Sequence, residues 1–598
     1  MKISDFVIES FVRLGVQSAF SVTGGASMHL NDSAGENSSL RVMYMHNEQS
    51  CAMAAEGYAR IAHKPALVIV TAGPGAINAF NGVFGAFTDS IPMIVISGQA
   101  RKNTQKNSFG LDNLRQLGDQ EAPILNMVKE ITKKVYEITA EMQSFEIADL
   151  ITEALTEATT GRPGPVWIEI PVDVQALQIE SVSISVPKGW QFQEPESEIQ
   201  KSLSLLLDRL LDSERPVLLL GSGIQISNSA RQAIALAEIF NVPILTAWSH
   251  DVISSDHPLF FGRPGTIGTR PGNMILQNSD LLLVLGSRLN IRQISYYYDG
   301  FAPKAYKIQV DIDGEELNKP FPKMDLSLKM DLRDFFESLS RITSRELTFK
   351  DHTSWISWCR SVNDKYSIKD SDYLIKKDSI NAYHLIPELI RQAPSNSILA
   401  CGDATACIVP FQTAHLKDGM NMFSNSGCAS MGYDLPAAIG AAVADTTRPV
   451  VCFAGDGSIM MNIQELQTLA TSNLNILVVI LDNGGYLSIK QTQTNFFGRF
   501  HGSNQSSGLT FPNFSRVTQG FGLPTTQLDT SNWKSELRTV LNSYGPRVIV
   551  AKIDGEQEFE PRLKSKMING VIQTPLLEDM YPHLDPDELS GIMGAFSS

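Results

Sequence analysis

The sequence predicts an α/β protein built from three doubly wound parallel sheets. Three observations predict it. Short apolar runs rich in Val, Ile and Leu recur along the 598 residues, each ending in a glycine-containing turn, as strands buried on both faces do. One pattern of strand, Gly-rich turn, helix and strand occurs around Gly73 and again around Asp456, so the chain carries two related α/β domains far apart in sequence. A further alternation of strands and helices lies between them, and the length is too great for a single core.

The elements follow in order. In the first domain, residues 1–180, Val16 to Val22 is a strand that ends in Thr23-Gly24-Gly25-Ala26. Leu40 to Met45 is a second strand, ending at His46-Asn47-Glu48, and a helix from Ser50 to Ile61 carries Ala, Met and Gly on a close-packed face. Ala66 to Thr71 ends in Ala72-Gly73-Pro74-Gly75, a helix follows, and Pro92 to Ser97 is the next strand. A polar linker spans Pro187 to Ser202. In the second domain, residues 190–345, Pro216 to Leu220 runs into Gly221-Ser222-Gly223 and a helix. Val242 to Ala247, Leu281 to Leu285 and Lys307 to Ile312 are further strands. Lys350 to Lys377, charged and aromatic, reads as a connecting segment. The third domain, residues 375–560, contains the strand Ser397 to Cys401, then Gly402-Asp403-Ala404-Thr405, then Asn425-Ser426-Gly427. The acidic tail, residues 561–598, is expected either to cap a site, to lie on a partner or to pack on the surface.

Composition excludes several classes. The net charge is −15 with no basic run, which argues against nucleic-acid binding. No apolar stretch reaches the length of a membrane span. Asp5 and Glu9 interrupt any apolar core of a signal peptide, so the N-terminus reads as an amphipathic helix. The six cysteines form no CxxC pair and several sit in apolar runs. They read as reduced core residues of a cytoplasmic protein.

The stretch from Ala454 to Gln493 organises the chain. The strand PVVCFA ends at Ala454 and gives way to Gly455-Asp456-Gly457-Ser458, with a helix expected from Ile463 to about Thr471. A second apolar strand, Ile476 to Leu481, runs into Asp482-Asn483-Gly484-Gly485-Tyr486. Adjacent parallel strands would bring Asp456 and Asn483 to one sheet edge, where open α/β sheets bind ligands. A carboxylate, an amide oxygen and glycine-exposed backbone at a helix start suit a divalent cation bridging to a diphosphate.

GDGS followed by DN at this spacing resembles the thiamine diphosphate fingerprint, and nearly the whole chain resembles acetohydroxyacid (acetolactate) synthases and their relatives. The resemblance implies a pyrimidine-binding domain, a central nucleotide-binding-like domain and a diphosphate-binding domain. It implies thiamine diphosphate and magnesium (Mg2+) as cofactors, with Asp456, Asn483 and the Gly485 carbonyl as metal ligands. Gly25, Gly402, Asp403, Ala404, Thr405, Gly457 and Ser458 would hold the cofactor, and Met431 would prop it into a bent shape. Glu48, in HNEQSCAMAAEGYAR, matches the catalytic glutamate that hydrogen-bonds a nitrogen of the aminopyrimidine ring. Read alone, Glu48 is as readily a helix cap. Gln120 matches an active-site glutamine. The central domain resembles the FAD-binding domain of these synthases through Gly223, GRPGTIG, GSRLNIRQ with Arg288 and Arg292, and VDID with Asp311.

Two departures matter. Asp119 stands where acetohydroxyacid synthases have phenylalanine, and Thr492 where they have tryptophan. A polar, roomier pocket suits a larger hydroxylated acceptor. The resemblance therefore implies a carboligase that takes a 2-keto acid donor, expected to be pyruvate, and a carbonyl acceptor. GCASMGYDLPAA, GSRLNIRQ and GGYLSIKQTQ look most like relatives that add a two-carbon unit to nucleotide-linked keto-sugars. The alternatives are an acetolactate synthase joining two pyruvates, a decarboxylase, or an inactive paralogue acting as a binding subunit. The family geometry implies a homodimer or a dimer of dimers.

Overall fold

The computed structural model describes residues 1–598 except 112, 188, 343–349, 370, 371, 374, 375, 570, 597 and 598. Three all-parallel sheets form, as the apolar runs predict. The first is six-stranded: β1 (Ser18–Ser21), β2 (Arg41–Tyr44), β3 (Leu67–Val70), β4 (Met93–Gln99), β5 (Lys134–Glu137) and β6 (Pro165–Pro171). Its order is β2-β1-β3-β4-β6-β5. The central sheet has β7 (Pro216–Leu220), β8 (Ile244–Thr246), β9 (Leu281–Leu285), β10 (Tyr306–Asp311) and β11 (Leu326–Lys329), in the order β11-β10-β9-β7-β8. The last comprises β12 (Ile398–Cys401), β13 (Asn421–Ser424), β14 (Val450–Gly455), β15 (Ile476–Asp482), β16 (Thr525–Leu528) and β17 (Arg547–Lys552). Its order, β13-β12-β14-β15-β17-β16, repeats that of the first sheet strand for strand. The internal duplication read from the glycine turns is therefore a duplication of topology.

The chain divides into two compact units. The first unit comprises Met1–Gly189, Asn396–Cys407 and Met422–Gly555 and holds the two six-stranded sheets. Strands such as β4 and β6 are buried along their whole length, which explains their unbroken apolar runs. Two small-residue helices pack face to face in this unit: Glu48–Ala62 and Asp434–Ala444. Glycine makes the crossing close. A Cβ on Gly57 would lie 2.2 Å from the Ala437 carbonyl oxygen, and one on Gly440 would lie 1.8 Å from that of Ala54.

The second unit comprises Trp190–Ser395, Ile408–Asn421 and Glu556–Ser598 and holds the central sheet. One expectation needs correction here. Part of the segment read as a connector is a helix, Thr353–Tyr366, which buries Trp355, Ile356, Cys359 and Val362. Its apolar positions recur at helical spacing, and the charges between them obscured that period. Positions 370, 371, 374 and 375 of the same segment lie outside the described residues. The tail also joins this unit. Gln277 Nε2 donates to Glu578 (2.8 Å), Asn273 Nδ2 to the Leu577 carbonyl (2.8 Å), and Arg270 Nη1 to the Met580 carbonyl (3.2 Å). Of the three tail expectations, packing on its own fold is the one these contacts satisfy. None of the six cysteines forms a disulfide, and no helix among the described residues is long and apolar enough to cross a membrane.

Candidate cofactor site

In the third sheet the strand order reverses between β12 and β14, the position at which doubly wound sheets bind ligands. β12 delivers Gly402-Asp403-Ala404-Thr405 to that edge, and β14 delivers Asp456-Gly457-Ser458. The helix begins sooner than the sequence suggested. Asp456–Ile459 is already helical, a 3-10 turn spans Met460–Asn462, and Glu465–Ser472 follows. Space is tight around both turns. A Cβ on Gly402 would stand 2.6 Å from Asp434 Oδ2, and one on Gly457 would stand 2.2 Å from the Tyr486 ring and 3.2 Å from the Met431 methyl. Gly457 is what lets Met431 and Tyr486 close over this turn.

Two buried polar atoms here have no partner: Thr405 Oγ1 and Asp434 Oδ2. Buried groups are rarely left unsatisfied in a complete site, so the cradle fits a polar ligand such as a diphosphate. Ser458 Oγ accepts from the Gly432 N–H (2.8 Å), and Asp434 Oδ1 accepts from the Leu435 N–H (2.9 Å). Burial pushes the Asp434 carboxyl up to about 6, against the pull of Ser458 and the Leu435 N–H. Sequence reasoning missed Asp434. An aspartate ahead of an apolar helix reads as a cap, and only packing reveals its burial.

Parallel pairing of β14 with β15 sets Gly455 opposite Leu481, which brings the two halves of the fingerprint together. Asp456 is 2% exposed. Its Oδ1 accepts from the Gly457 N–H (2.7 Å), and its Oδ2 accepts from those of Asn483 (3.1 Å), Gly484 (2.8 Å) and Gly485 (3.1 Å). Burial is the main force raising its pKa, to about 7, with the Asp482 charge adding. A carboxylate held this deep calls for a cation. Among the described residues no cluster of three or more His, Cys, Asp or Glu side chains forms. The expected set of one carboxylate, the Asn483 amide oxygen and the Gly485 carbonyl is all hard oxygen and fits magnesium completed by phosphate oxygens.

The first sheet places the other half. Asn47 is the N-cap of its helix, its side chain accepting from the Gln49 N–H (2.8 Å). Glu48 is therefore not the cap. It is 9% exposed, and its Oε2 accepts from Asn78 Nδ2 (3.0 Å). A Cβ on Gly75 would stand 3.0 Å from Oε1, so glycine at 75 leaves that oxygen uncovered. Gln120 is exposed with φ 58°, and its carbonyl lies over the Gly73 turn, 2.4 Å from where a Cβ would be. Gly25 is exposed, with nothing within 4 Å of its would-be Cβ. No hydrogen bond among the described residues links Glu48 or Gln120 to Asp456 or Asn483 in one chain.

A buried ionic network ties the Met431 loop to the Glu48 helix. Arg60 Nη2 reaches Glu56 (2.6 Å) and Asp89 (2.7 Å). Asn425 Nδ2 donates to Glu56 Oε2 (3.0 Å), and the Gly427 N–H donates to Asp89 Oδ1 (2.9 Å).

In the central sheet the order reverses between β7 and β9. Gly221 and Gly223 lie where two turns meet. Cβ atoms there would lie 2.2 Å from the Gly286 carbonyl oxygen and 2.7 Å from the Gly286 Cα, so both glycines serve to pack two turns together. Arg288 is half-buried and Arg292 exposed, and neither pairs with a carboxylate among the described residues. Asp311 is buried at the end of β10, its Oδ1 accepting from the Asp313 N–H (3.0 Å). A cavity of about 170 Å³ in this unit is lined by Leu289, Gln309, Glu316, Lys319, Phe321 and Ser327. Free guanidinium groups at a switch point fit the phosphates of a nucleotide.

The paired six-stranded sheets and the Asp456–Asn483 turn define a thiamine diphosphate enzyme. Family models agree: the N-terminal TPP binding domain matches residues 1–123, the central domain 203–339 and the C-terminal TPP binding domain 403–551 of thiamine pyrophosphate enzymes. The chain is 30% identical to the acetolactate synthase isozyme 1 large subunit of Escherichia coli, covering 93% of this chain and 95% of that protein. It is 28% identical to the acetolactate synthase large subunit of Lactococcus lactis, covering 94% of each. It is 29% identical to the chloroplastic acetolactate synthase of Arabidopsis thaliana, covering 94% of this chain and 83% of that protein. The chain belongs to the acetolactate synthase family.

Proposed function

We propose that the protein is a carboligase that decarboxylates pyruvate and adds the two-carbon unit to a carbonyl acceptor bulkier and more hydroxylated than pyruvate, such as a nucleotide-linked keto-sugar. The observation that supports the chemistry is that one chain carries both a buried, non-capping Glu48 and the Asp456–Asn483 turn. Bound thiamine diphosphate supplies the electron sink for the decarboxylation. Asn78 holds Glu48 Oε2, which leaves Oε1 as the atom that would hydrogen-bond the aminopyrimidine ring. Asp456, Asn483 and the Gly485 carbonyl would hold magnesium, and the Gly402–Thr405 and Gly457–Ser458 turns would hold the diphosphate. Met431 and Tyr486 exclude water from one wall. Gln120 would position the 2-keto acid.

The acceptor reading rests on Asp119 and Thr492, both exposed on the first unit. A carboxylate at 119 accepts hydrogen bonds from hydroxyl groups and repels the carboxylate of a second pyruvate. The small side chain at 492 leaves room for a ring; its Oγ1 is turned back to the Ser488 carbonyl (3.0 Å). Acetolactate formation from two pyruvates is the second reading, favoured by the names of the relatives. Incubation with thiamine diphosphate, magnesium and pyruvate, with and without a keto-sugar nucleotide, separates them. Asp119→Phe with Thr492→Trp is expected to raise acetolactate formation at least tenfold relative to transfer onto the keto-sugar. Efficient acetolactate formation by the wild type, in a ratio the double variant leaves unchanged, would sink the acceptor reading. No pyruvate consumption under any condition would mark an inactive binding subunit.

Two further features belong to this reading. Glu48 and Asp456 lack a link within one chain, and a two-fold dimer facing one chain's Glu48 to its partner's diphosphate turn completes two sites. Sedimentation at assay concentration checks it, and an active monomer would rule it out. Arg288 and Arg292, which pair with no carboxylate among the described residues, support FAD as the occupant of the central sheet's edge.

A further inference from the structure

The second unit buries a positive charge that no carboxylate matches. Arg263 lies in the Gly262–Gly265 turn that follows β8, and it is 3% exposed. Its Nη1 donates to the carbonyls of Phe411 (3.4 Å) and Ala414 (3.3 Å), and the guanidinium lies 5.3 Å from the centre of the Phe260 ring. Its Nε and Nη2 are buried and have no hydrogen-bond partner among the described residues. Among the described residues the one carboxylate that acts on it is Asp251, at longer range. That carboxylate is already held by the side-chain amides of Asn421 (2.7 Å) and Gln225. Burial brings the Arg263 pKa down to about 10, so the group stays charged at neutral pH.

The surroundings repeat the anomaly. Thr246 Oγ1, at the end of β8, is buried without a partner. So is Gln293 Oε1, although its Nε2 donates to the Pro264 carbonyl (2.7 Å). The turn is fixed in place. The Thr266 N–H donates to the Arg292 carbonyl (2.8 Å), and Asn273 bonds both the N–H (2.8 Å) and the carbonyl (3.1 Å) of Gly265. Rigid backbone around an unmatched buried cation is costly unless something anionic completes it. The unmatched edge is two parallel N–H donors, the fork that grips phosphate oxygens in a bidentate manner.

We propose that Arg263 is a ligand-dedicated charge whose Nε–Nη2 edge binds the anionic group of an adenine nucleotide carrying a diphosphate, seated at the carboxyl edge of the central sheet. Thr246 and Gln293 add a neutral donor and acceptor to the same site. The proposal deepens the flavin reading above and rests on it only for the identity of the nucleotide. FAD and ADP share the required chemistry, and separate titrations distinguish them.

The test uses the full chain freed of bound nucleotide. Affinities for FAD and for ADP are measured by calorimetry, and melting temperatures are taken with and without each. Wild type is expected to bind at least one of them and to melt higher when it does. Arg263→Met, similar in length and apolar, is expected to weaken that affinity tenfold or more. Its ligand-free form is expected to melt at or above the wild type, because the unmatched charge is gone. Arg263→Lys keeps the charge without the fork, and is expected to lose tenfold in affinity with the ligand-free melting temperature unchanged. A structural arginine would do the reverse, so an Arg263→Met chain that melts well below wild type, or does not fold, overturns the proposal. Binding of neither nucleotide by the wild type overturns it too, as does unchanged affinity in both variants. Binding of ADP but not FAD leaves it standing and removes the flavin reading. None of these readouts depends on pyruvate turnover, so failure of the carboligase reading would be seen separately.

Discussion

Glu48 shows how much one neighbour decides. Had Glu48 capped its helix, its carboxylate would answer to backbone N–H groups, but Asn47 takes that role. The carboxylate is left buried, with one oxygen held by Asn78 and the other uncovered over Gly75. Glu48→Gln is therefore expected to bind thiamine diphosphate within a few-fold of wild type and to lose about 100-fold or more in kcat, since an amide cannot share a proton with the ring. Cofactor titration and steady-state pyruvate consumption measure the two separately, and near-normal turnover would remove Glu48 from the chemistry. The sequence made Asp456 and Asn483 legible because strand ends are easy to place and these side chains follow them at once, whereas Glu48, as readily a cap on its own, stood out through the family resemblance. Asp434, Asn78 and Arg263 were not legible. Their importance lies in burial and in missing partners, which only long-range packing creates.

Of the helices Glu48–Ala62 and Asp434–Ala444, the first was legible as a helix, from Ala, Met and Gly on a close-packed face. That they pack on each other was not, because their sequences lie almost 400 residues apart and nothing local names the partner. Their crossing matters to the site because the first helix starts with Glu48 and the second follows Met431 by three positions. Gly440 sits where the backbones touch, and the atoms a methyl group would strike are main-chain atoms of Ala54, which cannot swing aside. Gly440→Ala is expected to destabilise the protein by about 1–3 kcal/mol and to weaken thiamine diphosphate binding. Gly591→Ala is the control, since its Cβ would meet nothing within 4 Å. Denaturation midpoints of the two variants decide the matter, and coincident midpoints would mean that the crossing yields.

For the whole molecule, the duplicated sheet topology was legible because it repeats a local pattern, whereas the Thr353–Tyr366 helix and the docking of the tail depend on contacts that charge patterning hides. Charge also sets how the entire chain responds to pH. Glu169, on β6 between β4 and the edge strand β5 of the first sheet, is buried and accepts from Gln99 Nε2 (3.0 Å). Burial pushes its pKa up to about 8, and the Glu137 charge adds, against Gln99 and Lys102. Asp434 and Glu56 are raised by burial as well, Glu56 in spite of Arg60. A carboxyl whose folded pKa lies above its unfolded one binds more protons when folded. Its contribution is full below about pH 4 and is lost as pH climbs towards 8. Depressed groups such as Asp5 and Glu121 act in the opposite sense, and their contribution is lost as pH falls through their folded pKa. The ligand-free protein is therefore expected to be most stable near about pH 5 and to melt progressively lower up to pH 8. Glu169→Gln keeps an oxygen for Gln99 and cannot ionise. It should match wild type at pH 5 and melt higher at pH 8, by about 4 °C or more, because a rise of this size represents up to about 5 kcal/mol. Melting curves of both proteins across this range test it. If the two melting temperatures fall in parallel as pH rises, Glu169 is not the buried acid that sets the slope.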